Sequence, residues 1–153
     1  MFYGLNPAAR SARFMGDGNF KFSATTVATV GKAVSQVLYK PQETANRSVF
    51  ISSFEVSLNE LLTAYKKATG NEDWTVTHAD IDEEIKAAQE SLGGPKGSSN
   101  MMAVAKLGMA VELKDEFGSN FDKLGILDND LLGLSRESVD DTVAAVLKVG
   151  LKP

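Results

Sequence analysis

The chain has 153 residues, of which 43% are apolar and 24% are charged. These values are typical of one globular domain and exclude a disordered or fibrous protein. The chain contains no cysteine and a single histidine, His78, which excludes disulfides, thiol nucleophiles and multi-histidine metal sites. Sixteen basic and twenty acidic residues give a net charge of −4, the wrong sign for a protein that grips phosphate backbones, so no nucleic-acid partner is expected.

No apolar run reaches the roughly 18 to 20 residues that a membrane-spanning helix needs. Residues 1–14 also contain no apolar core of the kind found in signal peptides. We therefore expect a cytoplasmic protein with no membrane partner. Arg10 and Arg13 precede the first acidic residue, Asp17, which leaves a transit peptide as the alternative interpretation of this segment.

The first third of the chain predicts two turns, a strand and a helix. Turns are indicated at Asn6-Pro7 and at Gly16-Asp17-Gly18-Asn19, where Asp-Gly supplies the positive φ angles of a tight hairpin. Residues 20–23 alternate in polarity and predict a half-buried strand. Apolar residues then recur at spacings of three and four, which predicts a helix that follows the N-cap candidate Thr25 and stops before Pro41.

The middle of the chain predicts two strands with a capped helix between them. Residues 48–52 form a short apolar run rich in β-branched and aromatic side chains, typical of a strand buried on both faces of a parallel sheet. Ser57 and Glu60 have the spacing of a capping box at a helix start, and Gly70 ends that helix. Residues 74–78 alternate in polarity and predict the next strand.

The rest of the chain predicts three helices joined by loops. The helices are residues 81–92 behind the N-cap Asp80, the strongly apolar residues 100–113, and a last helix that follows Ser135 or Ser138 and ends near Gly150. The glycine- and serine-rich residues 93–99 and the poorly periodic residues 117–134 predict loops. Together the elements predict one α/β domain over residues 1–153, with a small sheet of about three strands and about five helices.

A series of short segments, kept in order and spacing over most of the chain, is shared with a known family. The segments are residues 16–23 (GDGNFKFS), 25–34 (TTVATVGKAV), 43–47 (ETANR), 49–54 (VFISSF), 57–61 (SLNEL), 68–70 (ATG) and 127–134 (LDNDLLGL). In these segments the chain resembles the C-terminal half of the NmrA-like, isoflavone-reductase-like family of NAD(P)-binding proteins, an atypical short-chain dehydrogenase type, and especially its fungal members.

The resemblance implies an NAD(P)-dependent oxidoreductase or a redox-sensing regulator. Family members begin with a Rossmann half whose glycine-rich turn places the pyrophosphate at a helix N-terminus. Residues 2–6 resemble the stretch just after that half, at the entrance to the substrate lobe, so the dinucleotide-binding half has no counterpart here. Gly16-Asp17-Gly18 has no third glycine in register and is predicted to lie in a hairpin, which excludes a phosphate loop. We expect this chain alone to bind no cofactor, whereas full-length members use NADP or NAD.

Few residues are candidates for chemistry. His78 is followed by a group of acidic residues and could move protons or bind a metal, although a helix cap beside a solvated face is the simpler interpretation. Tyr3 and Lys32 could donate to a substrate oxygen. Met101, Met102 and Met109 either line an adaptable apolar pocket or belong to an ordinary core, the interpretation we favour.

Three functions follow as hypotheses. The first is the substrate-lobe part of an NmrA-like reductase, which transfers no hydride by itself. The second is a non-catalytic regulatory module, which docks on an intact relative or on a second copy through an exposed sheet edge and an apolar patch of Val49, Ile51 and the residue 27–37 helix. The third is a cofactor-free isomerase or cyclase that uses the small-molecule pocket, with His78 and nearby carboxylates as proton carriers.

Overall fold

A computed structural model describes residues 3–94 and 100–150 of the chain. Within these residues the fold is α/β, with two small sheets and seven α-helices, five of which have 12 or 13 residues. Phe2 and residues 95–99 of the predicted glycine- and serine-rich loop lie outside the described residues.

Three strands come first, strands and helices alternate in the middle of the chain, and after Ala79 the described residues form helices and no strand. The strands are β1 (Leu5–Asn6), β2 (Ser11–Met15), β3 (Lys21–Ala24), β4 (Phe54–Ser57) and β5 (Thr75–Ala79). The helices are α1 (Val27–Tyr39), α2 (Pro41–Thr44), α3 (Leu58–Thr69), α4 (Ile81–Gly93), α5 (Met101–Glu112), α6 (Phe121–Leu124) and α7 (Val139–Gly150), with a 3-10 turn at Asp115–Phe117. None of the helices among these residues has the length and apolar character required to cross a membrane.

The larger sheet has the strand order β1-β2-β5. β1 pairs with β2 antiparallel, whereas β2 pairs with β5 parallel from Ser11 opposite Thr75 to Met15 opposite Ala79. In β2 the alternation of the sequence places Ala12 and Phe14 in the core. The apolar cluster around them includes residues from both sheets, α3 and the end of α5: Leu5, Phe22, Val56, Leu58, Leu62 and Leu113.

The smaller sheet pairs β3 with β4 antiparallel. The predicted hairpin at Gly16-Asp17-Gly18-Asn19 is therefore wrong, because β2 and β3 flank this turn but belong to different sheets. The Gly16 N–H donates to Ala79 O (2.9 Å), and the Asn59 N–H donates to Gly18 O (3.1 Å). These bonds hold the turn against β5 and α3, so it links the two sheets.

The predicted buried strand at residues 48–52 is also wrong. The next strand begins at Phe54, and residues 48–52 form no strand. Phe50 N–H donates to the Asp128 carboxylate (3.0 Å) while Phe50 O accepts from the Asp128 N–H (2.7 Å). The Asn129 amide accepts from Ser52 N–H (3.0 Å) and donates to Ser52 O (2.8 Å). One side chain thus satisfies backbone groups that a strand partner would otherwise bond.

The N-cap of α1 is Thr26 and not Thr25, because the Thr26 hydroxyl accepts from the Thr29 N–H (3.2 Å). The hydroxyls of Thr26 (2.7 Å), Thr29 and Ser53 (3.0 Å) all donate to one carboxylate oxygen of Glu137. These hydrogen bonds, of which the one from Thr29 has the largest effect, hold the pKa of Glu137 below its usual value. The N-terminus of α1 is therefore attached to the segment that leads into α7.

The other predicted caps are confirmed. Ser57 and Glu60 form the capping box of α3, and Gly70 follows in the left-handed conformation. Asp80 caps α4 as predicted, whereas Asn100, which the sequence placed inside the helix, is the N-cap of α5. Of the two candidates before α7, Ser138 accepts a hydrogen bond from the Asp141 N–H (3.3 Å). The five longer helices therefore begin within a residue of where the sequence places them.

We predict that Asn129→Ala lowers the free energy of unfolding by about 2 to 4 kcal/mol, because it leaves the buried N–H and C=O of Ser52 unpaired. Asn71→Ala is the matched control, since it removes an amide that accepts one bond from the exposed Asp73 N–H. Urea unfolding of the three proteins measures both changes. Equal losses for the two variants would contradict the role assigned to Asn129.

Glu137→Gln keeps an acceptor oxygen but removes the charge that the three hydroxyls stabilise, and we expect a loss of about 1 kcal/mol at pH 7. Because the folded-state pKa of Glu137 lies below its unfolded value, this stabilisation is present above the unfolded pKa and disappears as the pH falls through the folded pKa. Urea midpoints of the wild type and the variant should therefore converge as the pH falls below the folded-state pKa of Glu137. A difference that is constant with pH would exclude a contribution from the carboxylate charge.

Candidate ligand-binding site

A pocket lies where the β1–β2 hairpin, the start of α3 and the length of α5 meet. Its cavity volume is about 210 Å³. Its walls are formed by Tyr3, Gly4, Arg13, Met15, Leu58, Met102, Lys106, Met109 and Leu113. Two basic side chains therefore occur in a wall that is otherwise apolar, apart from Tyr3.

The β1–β2 hairpin places Tyr3 and Arg13 at this pocket. The Arg13 N–H donates to Gly4 O (3.0 Å), and Gly4 has a φ of 74°. A Cβ atom on Gly4 would lie 1.9 Å from Arg13 O, so only glycine allows the two backbones to approach this closely.

Tyr3 is held at the pocket by contacts with two elements. Its hydroxyl donates to Glu112 Oε2 (2.6 Å), and its ring stacks on Phe22 at a centroid distance of 5.1 Å. Burial, and then the hydrogen bond and charge of Glu112, raise the pKa of Tyr3 well above its usual value. Tyr3 is therefore a neutral hydrogen-bonding group at physiological pH.

The methionines of α5 do not form an ordinary core, and that favoured interpretation is wrong for Met101 and Met102, which are exposed. Met102 and Met109 instead line the pocket, together with the buried Leu58 and Leu113. Thioether side chains are flexible and polarisable, so this wall can adjust to the shape of an apolar ligand.

Arg13 and Lys106 share one carboxylate. Glu84 Oε1 accepts from Arg13 Nη2 (2.5 Å) and Glu84 Oε2 accepts from Lys106 Nζ (3.2 Å). The Glu84 side chain is only 13% exposed, against 54% for Arg13 and 45% for Lys106. The hydrogen bond from Arg13, and then the contact with Lys106, lower the pKa of Glu84, so the carboxylate stays ionised.

His78 does not line this pocket. It lies on the exposed strand β5, where its Nδ1 is 2.9 Å from Gly16 O and its ring meets the edge of Phe14 at 6.0 Å. Asp80 caps α4, and Asp82 pairs with Lys114 (2.7 Å). Across residues 3–94 and 100–150, no three histidine or acidic side chains are grouped so that they could hold a metal ion.

Lys32, singled out from sequence, and Asp128, in the shared segment 127–134, lie elsewhere. Lys32 is exposed on α1 and does not line the pocket. Asp128 accepts two bonds from the Arg47 guanidinium (2.9 and 3.0 Å), which lower its pKa and make it a structural residue of a turn. Neither residue is brought to Tyr3.

Sequence reasoning missed Arg13, Lys106 and Glu112. One signal was present: Lys106 and Glu112 are the only charged residues in α5, a helix that is otherwise apolar or small. A charge on such a helix indicates either an ion pair with another element or a place where the helix meets a polar ligand. Arg13 carried no comparable signal, because its partner Glu84 is 71 residues away.

Comparison with known proteins relates the chain to oxidoreductases. Oxidoreductase aprR of Aspergillus flavus is 33% identical over 147 residues, which are 96% of this chain and 48% of aprR. Oxidoreductase poxI of Penicillium oxalicum is 35% identical over 147 residues, which are 95% of this chain and 46% of poxI. No protein-family model matches the chain, and no solved structure does. The chain is thus similar to part of an oxidoreductase and spans slightly less than half the length of these relatives.

Proposed function

We propose that this chain is the substrate-binding part of an NAD(P)-dependent oxidoreductase of the NmrA-like, isoflavone-reductase-like type. The observation that carries the proposal is the mainly apolar pocket with two cations in its wall, in a chain similar to half of two oxidoreductases. A pocket with apolar walls and a few polar groups is the usual form of a small-molecule site. The role of this chain is to bind and orient the substrate.

The glycine-rich turn at residues 16–18 does not support the binding of a dinucleotide. The Gly16-Asp17-Gly18 turn connects two strands and does not lead into a helix, so it offers no helix N-terminus to a pyrophosphate. Its Asp17 carboxylate accepts from Asn19 N (2.8 Å) and Asn19 Nδ2 (3.0 Å), which places a negative charge where a phosphate would have to lie. Nicotinamide chemistry therefore needs a second polypeptide segment that binds the nucleotide.

The outer face of α1 is where that segment would pack. Val27 is 89% exposed and Leu38 is 76% exposed, and α1 carries a single charge, Lys32. Beside them lies an apolar groove lined by Val30, Ala33, Val34, Val37, Leu38, Val49 and Ile51. Exposed apolar area of this kind is typical of an interaction surface. Because the relatives are about twice as long as this chain, we assign the face to the half of their length that this chain does not match.

One prediction of the proposed function concerns the cofactor. Isothermal titration calorimetry of the purified chain with NADPH and with NADH should show no binding in the micromolar range. A dehydrogenase with known affinity for both nucleotides is the positive control. Micromolar binding of either nucleotide to the chain alone would overturn the proposal.

Another prediction of the proposed function concerns the α1 face. When the chain is co-expressed with the part of aprR that it does not match, a one-to-one complex should form, as measured by size-exclusion chromatography with light scattering. The double variant Val34→Lys, Leu38→Lys should lose the complex, since two buried charges are costly at an interface. Thr63→Lys, on the exposed surface of α3, is the matched control and should keep it.

Two outcomes would contradict the assignment of this face. A chain that forms only homodimers through α1 would make a second copy the occupant. A chain that binds intact aprR but not the separate half would instead support the regulatory module.

A further inference from the structure

We infer that the pocket between the β1–β2 hairpin and α5 takes a compact apolar organic acid, whose carboxylate lies at Arg13 and Lys106. This inference rests on the proposed function, because it names the substrate class of the same site. It commits to an anion and excludes a neutral or cationic ligand of equal size.

The interior of the pocket sets the apolar part of the ligand. Leu58 and Leu113 are buried, and Met15 and Met109 complete the wall around them. The cavity volume of about 210 Å³ is below the roughly 300 to 1,000 Å³ of pockets that hold drug-sized molecules. A ligand of one or two fused rings, or a short branched chain, therefore fits this space.

The charges in the wall set the polar part of the ligand. Arg13 and Lys106 bring two positive charges to the wall, and among the described residues their ion-pair partner is the carboxylate of Glu84, which does not itself line the pocket. The guanidinium has five N–H donors and the ammonium has three, and the contacts with Glu84 involve one nitrogen of each side chain. One positive charge is thus in excess, on side chains that are about half exposed, which favours an anion.

The other charged groups near the pocket point to the same end of it. Glu112 accepts a hydrogen bond from the Tyr3 hydroxyl, and Tyr3 is neutral, so the pocket wall at Tyr3 has a neighbouring anion and no charge of its own. A ligand carboxylate would be repelled there and attracted at Arg13 and Lys106. The two ends of the site therefore differ in charge, and this difference orients the ligand.

Three naphthalene derivatives of nearly equal shape test the inference by isothermal titration calorimetry: naphthalene-2-carboxylate, naphthalene-2-carboxamide and naphthalen-2-ylmethylammonium. We expect the carboxylate to bind at least ten-fold more tightly than the amide, and the ammonium to bind more weakly than the amide. Equal affinity for the acid and the amide would overturn the inference.

Substitutions assign the binding to this pocket. Arg13→Met and Lys106→Met keep the apolar stems and should bring the affinity for the acid close to that for the amide, with little change in amide binding. Lys32→Met removes a cation on α1 and should leave all three affinities unchanged. Met109→Trp fills the cavity and should abolish binding of both the acid and the amide. Thermal unfolding of each variant checks that the fold is retained.

Binding that survives Met109→Trp would place the probes elsewhere, and a loss of acid binding in Lys32→Met would show a general charge effect; both results overturn the inference. Failure here is distinguishable from failure of the proposed function. The nucleotide titration can succeed or fail independently of the acid–amide preference, because it uses a different ligand and needs neither Arg13 nor Lys106.

Discussion

The amide of Asn129 bonds both the N–H and the C=O of Ser52, and most of the arrangement around α1 depends on this pair of hydrogen bonds. With Asp128 on Phe50, it fixes a segment that forms no strand. Eight residues further on, Glu137 accepts hydrogen bonds from Thr26 and Thr29 at the start of α1 and from Ser53. The chain between residues 128 and 137 thus determines where α1 lies, and with it the apolar groove beside Val49 and Ile51.

Local signals in the sequence were sufficient for the five longer helices and for two strands. Caps act within four residues, so Ser57 and Asp80 could be identified without knowledge of the fold. Alternating polarity likewise indicated β3 and β5. The failure at residues 48–52 has a different origin: an apolar run shows that a segment is buried, but not what bonds its backbone. The hydrogen-bond partner of the Ser52 backbone is the side chain of Asn129, which is 77 residues away and does not belong to a strand.

The site could be predicted only in part. Tyr3 and two of the three methionines were named from sequence and do line the pocket, whereas His78 was also named and lies outside it. The ion pairs of Glu84 join residues that are 71 and 22 positions apart, and such pairings are set by the parallel β2–β5 register and by the packing of α4 on α5. Neither the β2–β5 register nor the packing of α4 on α5 can be predicted from the spacing of residues along the chain. Whether His78 takes part in chemistry stays a prediction.

Gly4 connects the two pocket residues Tyr3 and Arg13. Its carbonyl binds the Arg13 N–H, and the absence of a side chain lets the backbones on either side of it touch. Tyr3 is the residue before Gly4, and Arg13 lies opposite Gly4 in the hairpin. A side chain at position 4 would push the two backbones apart, so the placement of both the phenol and the guanidinium depends on one absent methyl group.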